Sequence, residues 1–135
     1  MEMLVNIDVA DLAKAVVFYR DALGLHEERR LFGGSFVEMT GGASSKIHLL
    51  GKAPGSAALS NAPVYRTYRR HWTPVHLDFV VADIEAAVNR AVSAHAKLEG
   101  EIQAFNWGRL ATLSDPFGHG FCLIQFVGKG YDEIA

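Results

Sequence analysis

Val9-Ala10-Asp11-Leu12-Ala13-Lys14-Ala15-Val16 returns seventy-two places on as Val81-Ala82-Asp83-Ile84-Glu85-Ala86-Ala87-Val88. With Ala22 falling on Ala94 there are six identities, and they point to an internal duplication. The residues before each copy alternate as in a half-buried strand: Val5, Ile7 and Val9 against Leu4, Asn6 and Asp8, then His76, Asp78 and Val80 against Leu77, Phe79 and Val81. The residues after it turn to helical spacing. Leu12, Ala15, Val16, Tyr19, Ala22 and Leu23 share one side, with Asp11 as N-cap and Gly24 as the stop. The counterpart helix starts at Asp83 and runs through Ile84, Ala87, Val88, Ala91 and Val92 to about His95.

Short strand candidates follow each helix. In the first half they are His26 to Leu31, Ser35 to Met39 and Lys46 to Leu50, parted by Gly33-Gly34 and Gly41-Gly42. In the second they are Leu98 to Ala104, Arg109 to Leu113 and Phe121 to Phe126, parted by Asn106-Trp107-Gly108 and Asp115-Pro116-Phe117-Gly118. The expected class is α+β, two βαβββ modules in one domain over residues 1–135. Module one covers 1–52, a linker 53–73, module two 74–127 and a tail 128–135. Gly51 to Pro63 reads as a linker or flap, and Tyr65 to Trp72 as a basic, aromatic arm that packs on the other module or on a partner subunit.

Composition narrows the function. The chain has 135 residues, half of them apolar, which suffices for a core. Thirteen Lys and Arg against fifteen Asp and Glu give a charge of −2, with no global field to draw in nucleic acid or an anionic membrane, so neither is expected as a partner. The single cysteine, Cys122, closes no disulfide within the chain, and Met1-Glu2-Met3-Leu4 has no signal-peptide character; the expected location is the cytoplasm. No apolar run reaches the roughly 18 residues of a membrane span. Walker A, G-x-G-x-x-G, H-E-x-x-H, G-x-S-x-G and C-x-x-C patterns are all missing, which removes nucleotide, flavin and serine-hydrolase chemistry.

Val9-Ala10-Asp11-Leu12 followed by Phe18-Tyr19-Arg20-Asp21-Ala22-Leu23-Gly24-Leu25 resembles the opening of the vicinal oxygen chelate superfamily. That group includes glyoxalase I, extradiol dioxygenases, fosfomycin-resistance enzymes and bleomycin-binding proteins. Asp115-Pro116-Phe117-Gly118-His119-Gly120-Phe121 is similar to its turn before the last strand. The resemblance covers residues 4 to 127. It implies that the modules curl an eight-stranded sheet into a cup, often completed by homodimerisation, with a divalent metal at the floor.

The resemblance also implies four ligand positions: on the first strand of each module, seven residues before the capping aspartate, and in each last strand. Here they hold Leu4, His48, His76 and Cys122. Leucine has no donor atom. A thiolate with two imidazoles makes a three-ligand set with an open fourth position, suited to Zn and also open to Fe, Mn, Ni or Co. Each of these residues also has a plain alternative, a hydrogen-bonded core histidine or a small buried hydrophobe.

Alternation places Asp78 on the face of His76, and Asn6 and Asp8 on the corresponding face of module one. Asp78 then orients His76, serves as a ligand, or acts as general base. Asn6, Asp8, Trp107 and Arg109 are the expected substrate contacts. Two functions remain open. One is a divalent-metal-dependent enzyme of lyase, isomerase or dioxygenase type acting on a small oxygen-bearing substrate; the other is a metal-free protein that sequesters a small molecule, as bleomycin-binding relatives do. A homodimer is expected in either case.

Overall fold

Asp11 and Asp83 open the two helices with nearly the same backbone, φ −135° and ψ 105° in one, φ −137° and ψ 106° in the other. Each carboxylate accepts from the third residue on, Lys14 N at 3.0 Å and Ala86 N at 3.1 Å, filling one of the orphan donors of a helix start. The computed structural model of the chain describes residues 1–42 and 45–135. It divides into two compact units, Met1–Arg69 and Arg70–Ala135.

The first unit is built from β1 (Asn6–Val9), α1 (Leu12–Leu23), β2 (His26–Leu31), β3 (Phe36–Gly41) and β4 (Ser45–Gly51), in sheet order β1-β4-β3-β2. β1 lies parallel to β4, while β4 with β3 and β3 with β2 are antiparallel. Helix α1 ends at Gly24, whose φ of 72° suits a residue without Cβ. The helix buries Ala15, Val16, Phe18, Tyr19 and Ala22, and the sheet sets Val9, Val37, Met39, Ile47 and Leu49 into the same core.

The second unit repeats this plan with β5 (Leu77–Val80), α2 (Ile84–Ser93), β6 (Lys97–Leu98), β7 (Gln103–Ala104), β8 (Gly108–Ser114) and β9 (Gly120–Phe126). β5 is parallel to β9, β9 is antiparallel to β8, and both β6 and β7 pair with β8. Ile84, Ala91, Ala111, Leu113 and Leu123 are fully buried here. The expected single strand from Leu98 to Ala104 is two short ones, because the chain turns at Gly100 (φ 90°) and its register against β8 shifts by two residues. Between them the Glu99 amide still donates to Thr112 O at 2.8 Å. The α+β class and the twofold βαβββ plan are as the sequence leads one to expect.

Helix α2 stops at Ser93, short of the expected His95, in a Schellman turn: Ala96 N donates to Ala91 O at 2.9 Å and His95 N to Val92 O at 3.0 Å. The left-handed position of that turn is occupied by His95, φ 81°, where glycine is the usual residue. His95→Gly is therefore expected to stabilise the protein by about 0.5–1 kcal/mol, the left-handed penalty less glycine's extra chain entropy. Equilibrium urea unfolding checks this.

Candidate functional site

Parallel pairing of the first and last strand puts specific side chains opposite one another in each unit. Asn6 pairs with His48 across β1 and β4, and seventy-two residues on, Asp78 pairs with Cys122 across β5 and β9. The next antiparallel strand adds Glu38 opposite His48 and Thr112 opposite Cys122. Strand alternation directs these residues away from the face that carries Leu49 in one unit and Leu123 in the other.

In the first unit the row is closed by hydrogen bonds. His48, only 4% exposed, sets Nδ1 2.8 Å from the Asn6 side-chain amide and Nε2 3.0 Å from Glu38 Oε2. Glu38 receives Arg29 Nε at 3.0 Å and faces Lys46 Nζ at 3.5 Å. The Arg29 hydrogen bond, helped by His48 and by the Arg29 and Lys46 charges, outweighs burial and holds the Glu38 carboxyl at about 2. Ionised, Glu38 only accepts, so the imidazole donates from Nε2. An ion bound by His48 has to displace Asn6 or Glu38. Asp8 also lies on β1 and accepts from Arg66 Nε at 2.7 Å, and Arg66 Nη1 reaches Ala57 O at 2.6 Å, tying down the returning 53–66 segment.

In the second unit the row is a donor cluster. His76, Asp78 and Cys122 each offer a ligand atom, and these atoms lie within 4.8 Å of one another. His76 Nε2 is 3.2 Å from Asp78 Oδ1, both side chains are 37% exposed, and Cys122 is 4% exposed. Burial pushes the Cys122 thiol up, the Asp78 charge adds to this, and the Thr112 hydroxyl, 3.7 Å from Sγ, opposes it. The Trp72 ring lies 4.8 Å from the His76 ring at 34°, with the Arg70 guanidinium 5.6 Å over the indole. A Cβ on Gly120 would overlap that indole, so glycine there admits it to this face of β9.

Trp107 and Arg109 sit elsewhere in this unit. Trp107 stacks on Phe105 at 5.2 Å and 4° and touches Tyr131 at 5.1 Å. Arg109 makes a two-toothed pair with Glu85 in the first turn of α2, Nη1 to Oε2 at 2.8 Å. The 65–72 stretch is shared out: Arg66 and Tyr68 bind within the first unit, and Arg70 binds Glu99 at 2.5 Å within the second. Glu38, Thr112 and Trp72 are the partners that sequence reasoning did not assign. Glu38 and Thr112 become visible once strand register is known, and Trp72 only from the packing against Gly120.

The glyoxalase-like domain family matches residues 4–124, so the chain belongs to that family. Among curated proteins it is 32% identical over 94 residues to the anthracycline biosynthesis protein DnrV of Streptomyces peucetius, an overlap of 70% of this chain and 32% of that protein. The chain spans about a third of the length of that relative. Among solved structures, the fosfomycin resistance protein FosX of Listeria monocytogenes has the same fold, with 16% identity, a TM-score of 0.72 and coverage of 100% of this chain and 98% of that one. A form of FosX with a TM-score of 0.69 and 16% identity, covering 96% of this chain and 90% of that one, is complexed with Mn(II) and 1S,2S-dihydroxypropylphosphonic acid. Lactoylglutathione lyase from Agrobacterium tumefaciens matches with 19% identity and a TM-score of 0.62 over 93% of this chain and 92% of that one. Among the described residues no helix is long and apolar enough to cross a membrane.

Two outcomes follow from these geometries. Because the Glu38 carboxyl is lowered from 4.5 to about 2, its contribution to stability is present above about pH 4.5 and is lost as pH falls towards 2. Glu38→Gln is expected to be less stable at neutral pH and to lose that part of the acid dependence, read by urea unfolding at a series of pH values. Gly120→Ala is expected to expel the Trp72 indole and destabilise by about 1–3 kcal/mol. Emission from Trp72 in a Trp107→Phe background then shifts to the red; an unshifted spectrum contradicts the packing.

Proposed function

We propose that this protein is a divalent-metal-dependent enzyme of the glyoxalase-like family, acting on a small oxygen-bearing substrate, with the ion held by His76, Asp78 and Cys122. The observation that carries this is the convergence of an imidazole, a carboxylate and a thiol within 4.8 Å on the open face of the second sheet. The set fits a metal: one nitrogen, one oxygen and one sulfur donor leave a coordination position for substrate, as catalytic sites with three protein ligands do. When bound, the ion supplies Lewis-acid polarisation of a substrate oxygen.

The chain's own groups then have definite tasks. Asp78 Oδ1 stands 3.2 Å from His76 Nε2, beside the imidazole. The Trp72 ring packs at a tilt against the His76 ring and limits its movement on that side. In the first unit, Asn6 and Glu38 fix His48, and Asp8 with Arg66 anchors the 53–66 segment. The relation to an anthracycline biosynthesis protein makes an oxygen-bearing aromatic compound the first substrate class to try. A cytoplasmic homodimer is the assembly proposed for this work, in keeping with the family resemblance.

A second reading has its own support. Leu4, seventy-two places before His76, brings no donor to the first unit, and His48 is satisfied within its own row. This favours a metal-free protein that sequesters a small aromatic molecule. Elemental analysis of the purified, tag-free chain separates the two. Near-stoichiometric metal is expected, lost by about tenfold or more in His76→Ala and kept in His48→Ala. Protein that stays metal-free after incubation with Zn, Mn, Fe, Co and Ni salts overturns the enzyme proposal in favour of the binding one.

A further inference from the structure

We infer that Cys122 makes this site selective for a thiophilic ion, zinc or cobalt(II), rather than for manganese or magnesium; the inference rests on the metal-centred reading above and adds the identity of the ion. The first unit supplies an internal comparison. There the residue in the place of Cys122 is His48, and the neighbouring β3 position holds Glu38, whose carboxylate occupies the imidazole. In the second unit the matching β8 position holds Thr112, a small neutral hydroxyl that approaches the sulfur at 3.7 Å. Thr112 brings no charge to the row, and it can donate one hydrogen bond to a thiolate without competing for the ion.

Donor chemistry sets the preference. Manganese and magnesium favour hard oxygen donors and near-octahedral shells, whereas zinc and cobalt(II) accept sulfur with nitrogen and oxygen in a small coordination sphere. The sulfur is nearly buried, the imidazole lies at a tilt against the Trp72 ring, and Asp78 is paired with Cys122 across the strands and stands 3.2 Å from the imidazole. Ordinary nitrogen and oxygen sites already bind zinc more tightly than manganese. The quantity that isolates the thiolate is therefore the change in that ratio when the sulfur is replaced.

The test uses the full chain, stripped of metal and kept reduced. Cobalt(II) is titrated in and the near-ultraviolet sulfur-to-cobalt charge-transfer band is recorded; zinc and manganese affinities are then measured by competition with a chromophoric chelator. Wild type is expected to show the band, and Cys122→Ser to lose it. In Cys122→Asp the zinc-to-manganese affinity ratio is expected to fall by about tenfold or more. Thermal melts confirm that each variant is folded, and the wild-type and Cys122→Ser spectra decide the matter if the aspartate variant is not. Cobalt bound without the sulfur band, or a ratio unchanged in Cys122→Asp, overturns the role of Cys122 and leaves an ion on His76 and Asp78. Failure to bind any ion overturns both proposals.

Discussion

In each unit the first strand lies parallel beside the last, β1 against β4 and β5 against β9, and the rest of the structure depends on that pairing. Parallel neighbours cannot be joined by a tight turn, so the chain leaves β1 through a helix and returns through two more strands before the pair can close. The helix covers one sheet face with apolar residues. The other face is left to whatever the alternate positions carry, and those positions are Asn6, His48 and Glu38 in one unit and Asp78, Cys122 and Thr112 in the other.

The two rows occupy corresponding places and behave differently for electrostatic reasons. In the first, a buried imidazole is held between an amide and a carboxylate, and the carboxylate is kept ionised by Arg29 and Lys46. Such a row satisfies its own donors and acceptors, which is what burial requires of polar groups. In the second, among the described residues, the ion-pair partner of Asp78 is His76 and not an arginine or lysine. A thiol raised by burial and a carboxylate stand beside an imidazole, and a divalent cation is the charge that would complete them. The repeat thus carries a hydrogen-bonded polar row in one unit and, in the other, a cluster of side chains that could hold a metal.

The segment joining the halves shows how far charge patterning alone can be read. Three arginines among aromatics between Tyr65 and Trp72 suggest an arm that presents cations to an anionic group. Two of those arginines are instead paired internally, Arg66 with Asp8 and Arg70 with Glu99, and the aromatic end of the segment lies against His76. Arg66 is held within the first unit and Arg70 within the second. Those two arginine charges are engaged in internal ion pairs.

The sequence by itself determined both helices, their aspartate caps, the repeat of seventy-two residues and the family, because capping, helical spacing and strand alternation are relations among residues close in the chain. It also placed Asp78 on the face of His76, two residues away, although the strand itself begins only at Leu77. Tertiary structure decided that Glu38 engages His48, that Thr112 rather than a charge stands beside Cys122, that Trp72 covers His76 through the space left at Gly120, and that the strand after α2 breaks in two. Each of these is a matter of register or of packing between distant segments. A shift of one residue in pairing turns every side chain to the other face, and nothing local in the sequence states which register gives the lowest free energy.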